Sequence, residues 1–153
     1  RDGSRIWFVS NRTGRNEVWS VPFAGGGAVQ FTREGRRAPQ ESPDGKTLYS
    51  IDSDFNLQAR STAGGPERQV LSRVMAYAPM ADGFYLVPRS DPGGTAQLHF
   101  VDLSGGHDRL ISDLPVFFLQ ERAAVSVSPD RRRILFTSVP AGNQVIQMVD
   151  GFR

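Results

Sequence analysis

Cysteine is absent from the 153 residues, which excludes a disulfide, a thiolate metal site and a cysteine nucleophile. Lysine is almost absent too, since 17 of the 18 basic residues are arginine and only Lys46 is lysine. These 18 face 16 acidic residues, for a net charge of +2, which is too small an excess for a dedicated nucleic-acid binder. No apolar run near the start has the length of a signal peptide or a membrane-spanning helix, so no membrane insertion is expected. Helical patterning is missing as well. No stretch keeps apolar residues at three-and-four spacing for three turns, and 16 glycines and 10 prolines interrupt almost every window. The first residue is Arg1 rather than Met, which reads as a truncated or processed chain.

What is present is a repeat. Asp-Gly occurs at Asp2-Gly3, Asp44-Gly45 and Asp82-Gly83, and Asp130-Arg131 stands in the same context within Ser128-Pro129-Asp130-Arg131. The aspartates are 42, 38 and 48 residues apart, close to the ~40–45 of a four-stranded propeller blade. Each is followed by a β-branched and aromatic run: residues 5–10, 47–51, 84–87 and 133–137. A second run follows at residues 17–21, 56–60, 97–101 and 144–149, then a glycine turn at Gly25-Gly26, Gly64-Gly65 and Gly105-Gly106, with Asp150-Gly151 in its place in the last unit. Three units continue into a short strand at residues 29–32, 69–72 and 109–112.

This pattern predicts an all-β chain of four consecutive antiparallel sheets. Small sheets of this kind bury both faces only by packing on one another, which is the logic of a β-propeller. The expected blades span about residues 1–35, 36–72, 73–113 and 114–153, with 14 strands divided three, four, four and three in an incomplete ring.

Ser42-Pro43-Asp44-Gly45-Lys46 followed by Leu48-Tyr49-Ser50, and the segment from Phe8 through Ser10-Asn11-Arg12-Thr13-Gly14 to Trp19, resemble the TolB-type, WD40-like propeller repeat. The resemblance rests on the S-P-D-G turn, the S-x-R-x-G loop and the G-G turn, and covers nearly the whole chain. It implies that the strand before S-P-D-G is innermost and the strand after G-G outermost. The first blade then lacks its innermost strand and the last its outermost. The resemblance further implies the C-terminal part of a larger propeller with upstream blades missing, and a periplasmic or extracytoplasmic setting. The ending from Gln147 to Arg153 is similar to the close of propellers fused to bacterial winged-helix regulators or kinases.

Candidate chemistry is sparse. Asp52-Ser53-Asp54-Phe55-Asn56 has the D-x-D-x-N opening of a calcium loop, but Leu57 takes the place of the required glycine and Ala63 that of the bidentate acid. It reads as a hairpin loop, with no metal. Gly25-Gly26-Gly27 lacks the helix that a phosphate cradle needs. His99 and His107 lack metal-ligand spacing and read as surface or packing residues. No G-x-S-x-G elbow accompanies the serines, so no catalytic residues, no cofactor and no enzyme activity are assigned.

The residues left are those of the loops. Arg12, Arg15, Arg33, Arg36, Arg37, Asp52, Asp54, Arg89 and Asp91 fall in connections that a propeller directs to one mouth of its channel, where guanidinium groups suit carboxylates or phosphates. Arg131-Arg132-Arg133 belongs to the opposite end and receives no role. The leading expectation is a non-catalytic binding module for a protein, peptide or small ligand, as the sensor portion of a regulator or kinase. The alternatives are the gating propeller of a prolyl-oligopeptidase-like peptidase, and a structural spacer.

Overall fold

The computed structural model describes residues 3–89, 96–114, 124–138 and 145–150. Fourteen strands form four antiparallel sheets, and there is no helix among the described residues. The chain divides into two compact units, Arg1–Arg73 and Val74–Arg153, each holding two of the sheets.

In the first unit, β1 (Arg5–Ser10), β2 (Glu17–Pro22) and β3 (Val29–Gln30) form a sheet in that order, and β4 (Arg37–Glu41), β5 (Thr47–Ile51), β6 (Leu57–Ser61) and β7 (Arg68–Leu71) form the next. The strand preceding S-P-D-G, β4, lies at the sheet edge, in the place the resemblance gave the innermost strand. β3 is two residues shorter than the sequence pattern implies. Thr32 turns inward to 2% exposure, and its Oγ1 accepts from the Val18 amide at 2.8 Å where a strand partner would have supplied a carbonyl. Side chain replaces ladder, and the strand stops.

β1 and β2 both pack on β4, and β2 is buried continuously from Glu17 to Ser20 and β5 from Leu48 to Ile51, with Val18 and Leu48 at 0% and 2% exposure. Burying such a side chain contributes about 1.5–3 kcal/mol. Trp7 of β1 packs edge-on against Phe31, with ring centroids 4.8 Å apart. Its Nε1 donates to Glu41 Oε1 of β4 at 2.6 Å. Arg60 of β6 lays its guanidinium 4.6 Å from the Phe31 centroid and donates through Nη1 to the Phe31 carbonyl. Trp7 and Arg60 thereby bind Phe31 from two sides.

The second unit has β8 (Val74–Pro79), β9 (Gly83–Pro88), β10 (Ala96–Asp102) and β11 (Asp108–Leu114) in one sheet, and β12 (Val125–Val127), β13 (Arg133–Ser138) and β14 (Val145–Asp150) in the other. All six residues of β8 are buried, as expected of a near-continuous apolar run covered on both faces, and β12 packs on β8 and β9. β13 alternates cleanly: Ile134 and Phe136 are buried at 1% and 2%, while Leu135 is 45% exposed. Gly83 is required by space, since a Cβ there would lie 2.3 Å from the Val101 carbonyl oxygen.

Candidate functional site

In the first unit the connections β1–β2, β3–β4 and β5–β6 leave from one end of the strands, while the S-P-D-G turn lies at the other end of β5. At the loop end a carboxylate organises two of the connections. Glu17, only 1% exposed, accepts from the Thr32 hydroxyl at 2.6 Å, the Gly35 amide at 3.0 Å and Arg15 Nε at 2.7 Å. Burial pushes its carboxyl up, but the Thr32, Gly35 and Arg15 hydrogen bonds prevail and hold it below the usual carboxylate range. The Arg36 amide donates to the Asn16 carbonyl at 2.9 Å, closing the same junction. The β1–β2 and β3–β4 connections are thus tied together.

The sequence-selected arginines separate by environment. Arg36 is 6% exposed, and its guanidinium is held by Glu67 Oε2 at 2.5 Å and by the Glu34 and Gly35 carbonyls at 3.0 and 2.9 Å. Arg15 is spent on Glu17, although its side chain is 60% exposed. Arg12 is exposed and lies over the rings of Trp19, at 4.5 Å, and Phe8, at 5.4 Å, with Nε on Ser10 Oγ. Arg33 is exposed. Arg37 opens β4, half-buried, with its guanidinium 4.1 Å from the Phe55 centroid.

Backbone strain gathers beside Arg37. Ala38 and Phe55 have φ of 50° and 66°, and the β4–β5 register shifts between Arg37 and Gln40. A bulge of this kind re-aims the side chains next to it. Asp52 holds the β5–β6 connection: Oδ1 accepts the Asp54 and Asn56 amides at 2.9 and 2.8 Å, and Oδ2 accepts Gln58 Nε2 at 2.8 Å and Asn56 Nδ2 at 3.3 Å. Its carboxyl, which burial pushes up, is held down by the Asn56 and Gln58 hydrogen bonds. Both oxygens serve the turn, while Asp54 is exposed.

The structure therefore puts Arg15 and Arg36 at the Glu17 junction, leaves Arg12 and Arg33 exposed in the two connections that meet there, and sets Arg37 against Phe55 of the β5–β6 connection. Arg89 lies in the second unit, half-buried just after β9, and Asp91 lies outside the described residues. His99 and His107 each face a carboxylate of their own hairpin, Asp108 at 2.6 Å and Asp102 at 3.1 Å. Sequence reasoning missed Glu17, Thr32 and Glu67, whose partners lie 15, 15 and 31 residues away. No motif spans those distances.

Four antiparallel sheets with each blade's strands in consecutive order define a β-propeller fold. No family model matches the chain. It is 28% identical to a TolB homolog of Chlorobium luteolum, over 97% of this chain and 34% of that protein. TolB from Acinetobacter baumannii superposes with a TM-score of 0.73 at 13% identity, covering 98% of this chain and 39% of that one. A prolyl endopeptidase gives a TM-score of 0.63 at 15% identity, over 98% of this chain and 25% of that one. The fold is that of a TolB-type β-propeller, and the chain spans about a third of the curated relative it matches.

Proposed function

We propose that this chain is a non-catalytic recognition module that meets a protein or peptide partner through the loop end of its first unit. The carrying observation is the Glu17 junction, which ties Arg15, Thr32 and Gly35 to one buried carboxylate while Arg12 and Arg33 stay exposed. Recognition usually lives on loops held by a rigid scaffold, and prior ordering lowers the entropy lost on binding. Arg12 and Arg33 are the contact residues in this reading; Arg15 and Arg36 are the supports.

A photo-crosslinking amino acid placed at Arg33 of the full-length protein, against the same residue at Lys46 beside the S-P-D-G turn, tests the reading. Capture of one discrete partner from position 33 and not from 46 is expected. Arg12→Ala in the protein that carries the crosslinker at position 33 should strongly weaken that capture with little change in melting temperature. Capture from position 46 alone, or capture from 33 that Arg12→Ala leaves unchanged, overturns the reading.

A further inference from the structure

At the opposite end of the first unit, between its two sheets, lies a cleft of about 450 Å³, within the size range of ligand pockets. Its walls are Arg5 and Trp7 of β1, Glu41 of β4, the Pro43-Asp44-Gly45 turn and Thr62. The Trp7 indole is fixed, because its Nε1 donates to Glu41 Oε1 at 2.6 Å and its edge meets Phe31. The Glu41 carboxylate is therefore held at the edge of the indole, and Asp44 adds a second carboxylate on the adjoining turn, itself fixed by Ser42 Oγ at 2.6 Å.

Among the described residues, two carboxylates against one guanidinium leave this wall net negative in a chain whose overall charge is +2. Among the described residues the cation of this wall is Arg5. Arg5 is exposed, and its guanidinium carbon lies 5.3 Å from the Trp7 centroid, a contact that is weak in solvent. The cleft thus already displays how it would receive a guanidinium: over an indole, beside carboxylates, in a space large enough for a second side chain.

We infer that this cleft is a receptor for an arginine side chain of a partner peptide, and that Arg5 is its resident competitor. The Trp7 face, the Glu41 and Asp44 carboxylates and the volume supply cation–π, ionic and steric complementarity together. The site is separate from the loop end and does not rest on the partner proposed there.

The test titrates the full-length protein with the capped tripeptide acetyl-Gly-Arg-Gly-amide and with its citrulline counterpart, which keeps the length and shape but loses the charge and exchanges one donor nitrogen for an acceptor oxygen. Binding is read by Trp fluorescence and calorimetry. The arginine peptide is expected to bind at least tenfold more tightly than the citrulline one. Glu41→Gln, which keeps an acceptor for Trp7 Nε1, should weaken it about fivefold. Arg5→Ala should tighten it two- to fivefold, a sign that no destabilising effect of the substitution would produce. Equal binding of the two peptides, or weakening by Arg5→Ala, overturns the inference.

Discussion

The turn Ser42-Pro43-Asp44-Gly45 in the first unit and Ser128-Pro129-Asp130-Arg131 in the second are hydrogen-bonded almost identically. In each the serine hydroxyl donates to the aspartate Oδ1 at 2.6 Å, and the amide two residues after the aspartate donates to the same oxygen at 3.1 Å. In each, too, the amide five residues after the serine reaches its Oγ at 3.0 Å. They part at the fourth position, where Gly45 has a φ of 71° and Arg131 keeps a φ of 56° without being glycine. Serine and aspartate therefore build the turn, and glycine only removes the strain of the left-handed backbone.

What Arg131 gains is a partner: its guanidinium meets the Asp82 carboxylate of the preceding turn and lies 5.6 Å from the Phe100 centroid. The Arg131 hydrogen bond holds Asp82 below its usual range against a smaller effect of burial, and Asp82 in turn raises Arg131. Asp82-Gly83 has no Ser-Pro before it, so Asp82 is left to serve this bridge.

The largest expected effect separates the two turns by burial. Ser42 is 7% exposed and Ser128 half-exposed, so Ser42→Ala should destabilise by about 1–3 kcal/mol and Ser128→Ala by less, as read from urea unfolding. Equal losses would show that burial does not grade the motif. Next, Gly45→Arg should lose about 1–2 kcal/mol to backbone strain, whereas Arg131→Gly should be nearly neutral, because relief of strain offsets an exposed ion pair.

A smaller effect tests the bridge itself. A double-mutant cycle of Asp82→Asn with Arg131→Gly should give a coupling of about 0.2–1 kcal/mol that fades at high salt. The two side chains are 56% and 37% exposed, so a larger coupling would mean the pair is drier than described.

The smallest effect concerns Asp102, the last residue of β10, which has no Ser-Pro before it and faces His107 at 3.1 Å. Its carboxyl is lowered to about 2, chiefly by the Gly105 amide and then by Ser104. A folded value below the unfolded one means that its contribution is fully present above the unfolded value of about 3.9 and is lost as pH falls toward 2. Carboxyl titration by NMR should show a midpoint near 2 together with loss of Gly105 amide protection.

The strands were legible because alternation and the aspartate period are local. Residues 5–10, 47–51 and 133–137 are strands to within a residue of the sequence reading. β4 carries no such signal. Arg37-Ala38-Pro39-Gln40-Glu41 is half-buried throughout and bulged, so only its position before S-P-D-G marks it. The candidate site was less legible. Arg33, Arg36 and Arg37 are near neighbours in sequence, yet one is exposed, one 6% exposed and one stacked on Phe55. What distinguishes them is Glu67 and Phe55, both distant in the chain. The Trp7–Glu41 contact, across 34 residues, was equally beyond any local pattern.

Gly83 has a different bearing. With the Val101 carbonyl oxygen 2.3 Å and the Phe100 ring 2.6 Å from where a Cβ would sit, the position admits no side chain, not even a methyl. In a saturation library selected for folding it should return a single letter, while Gly27, which has open space around it and no left-handed φ, should return several. Divergence across this hairpin is therefore channelled, and Asp82, its neighbour, is free to drift only as far as Arg131 allows.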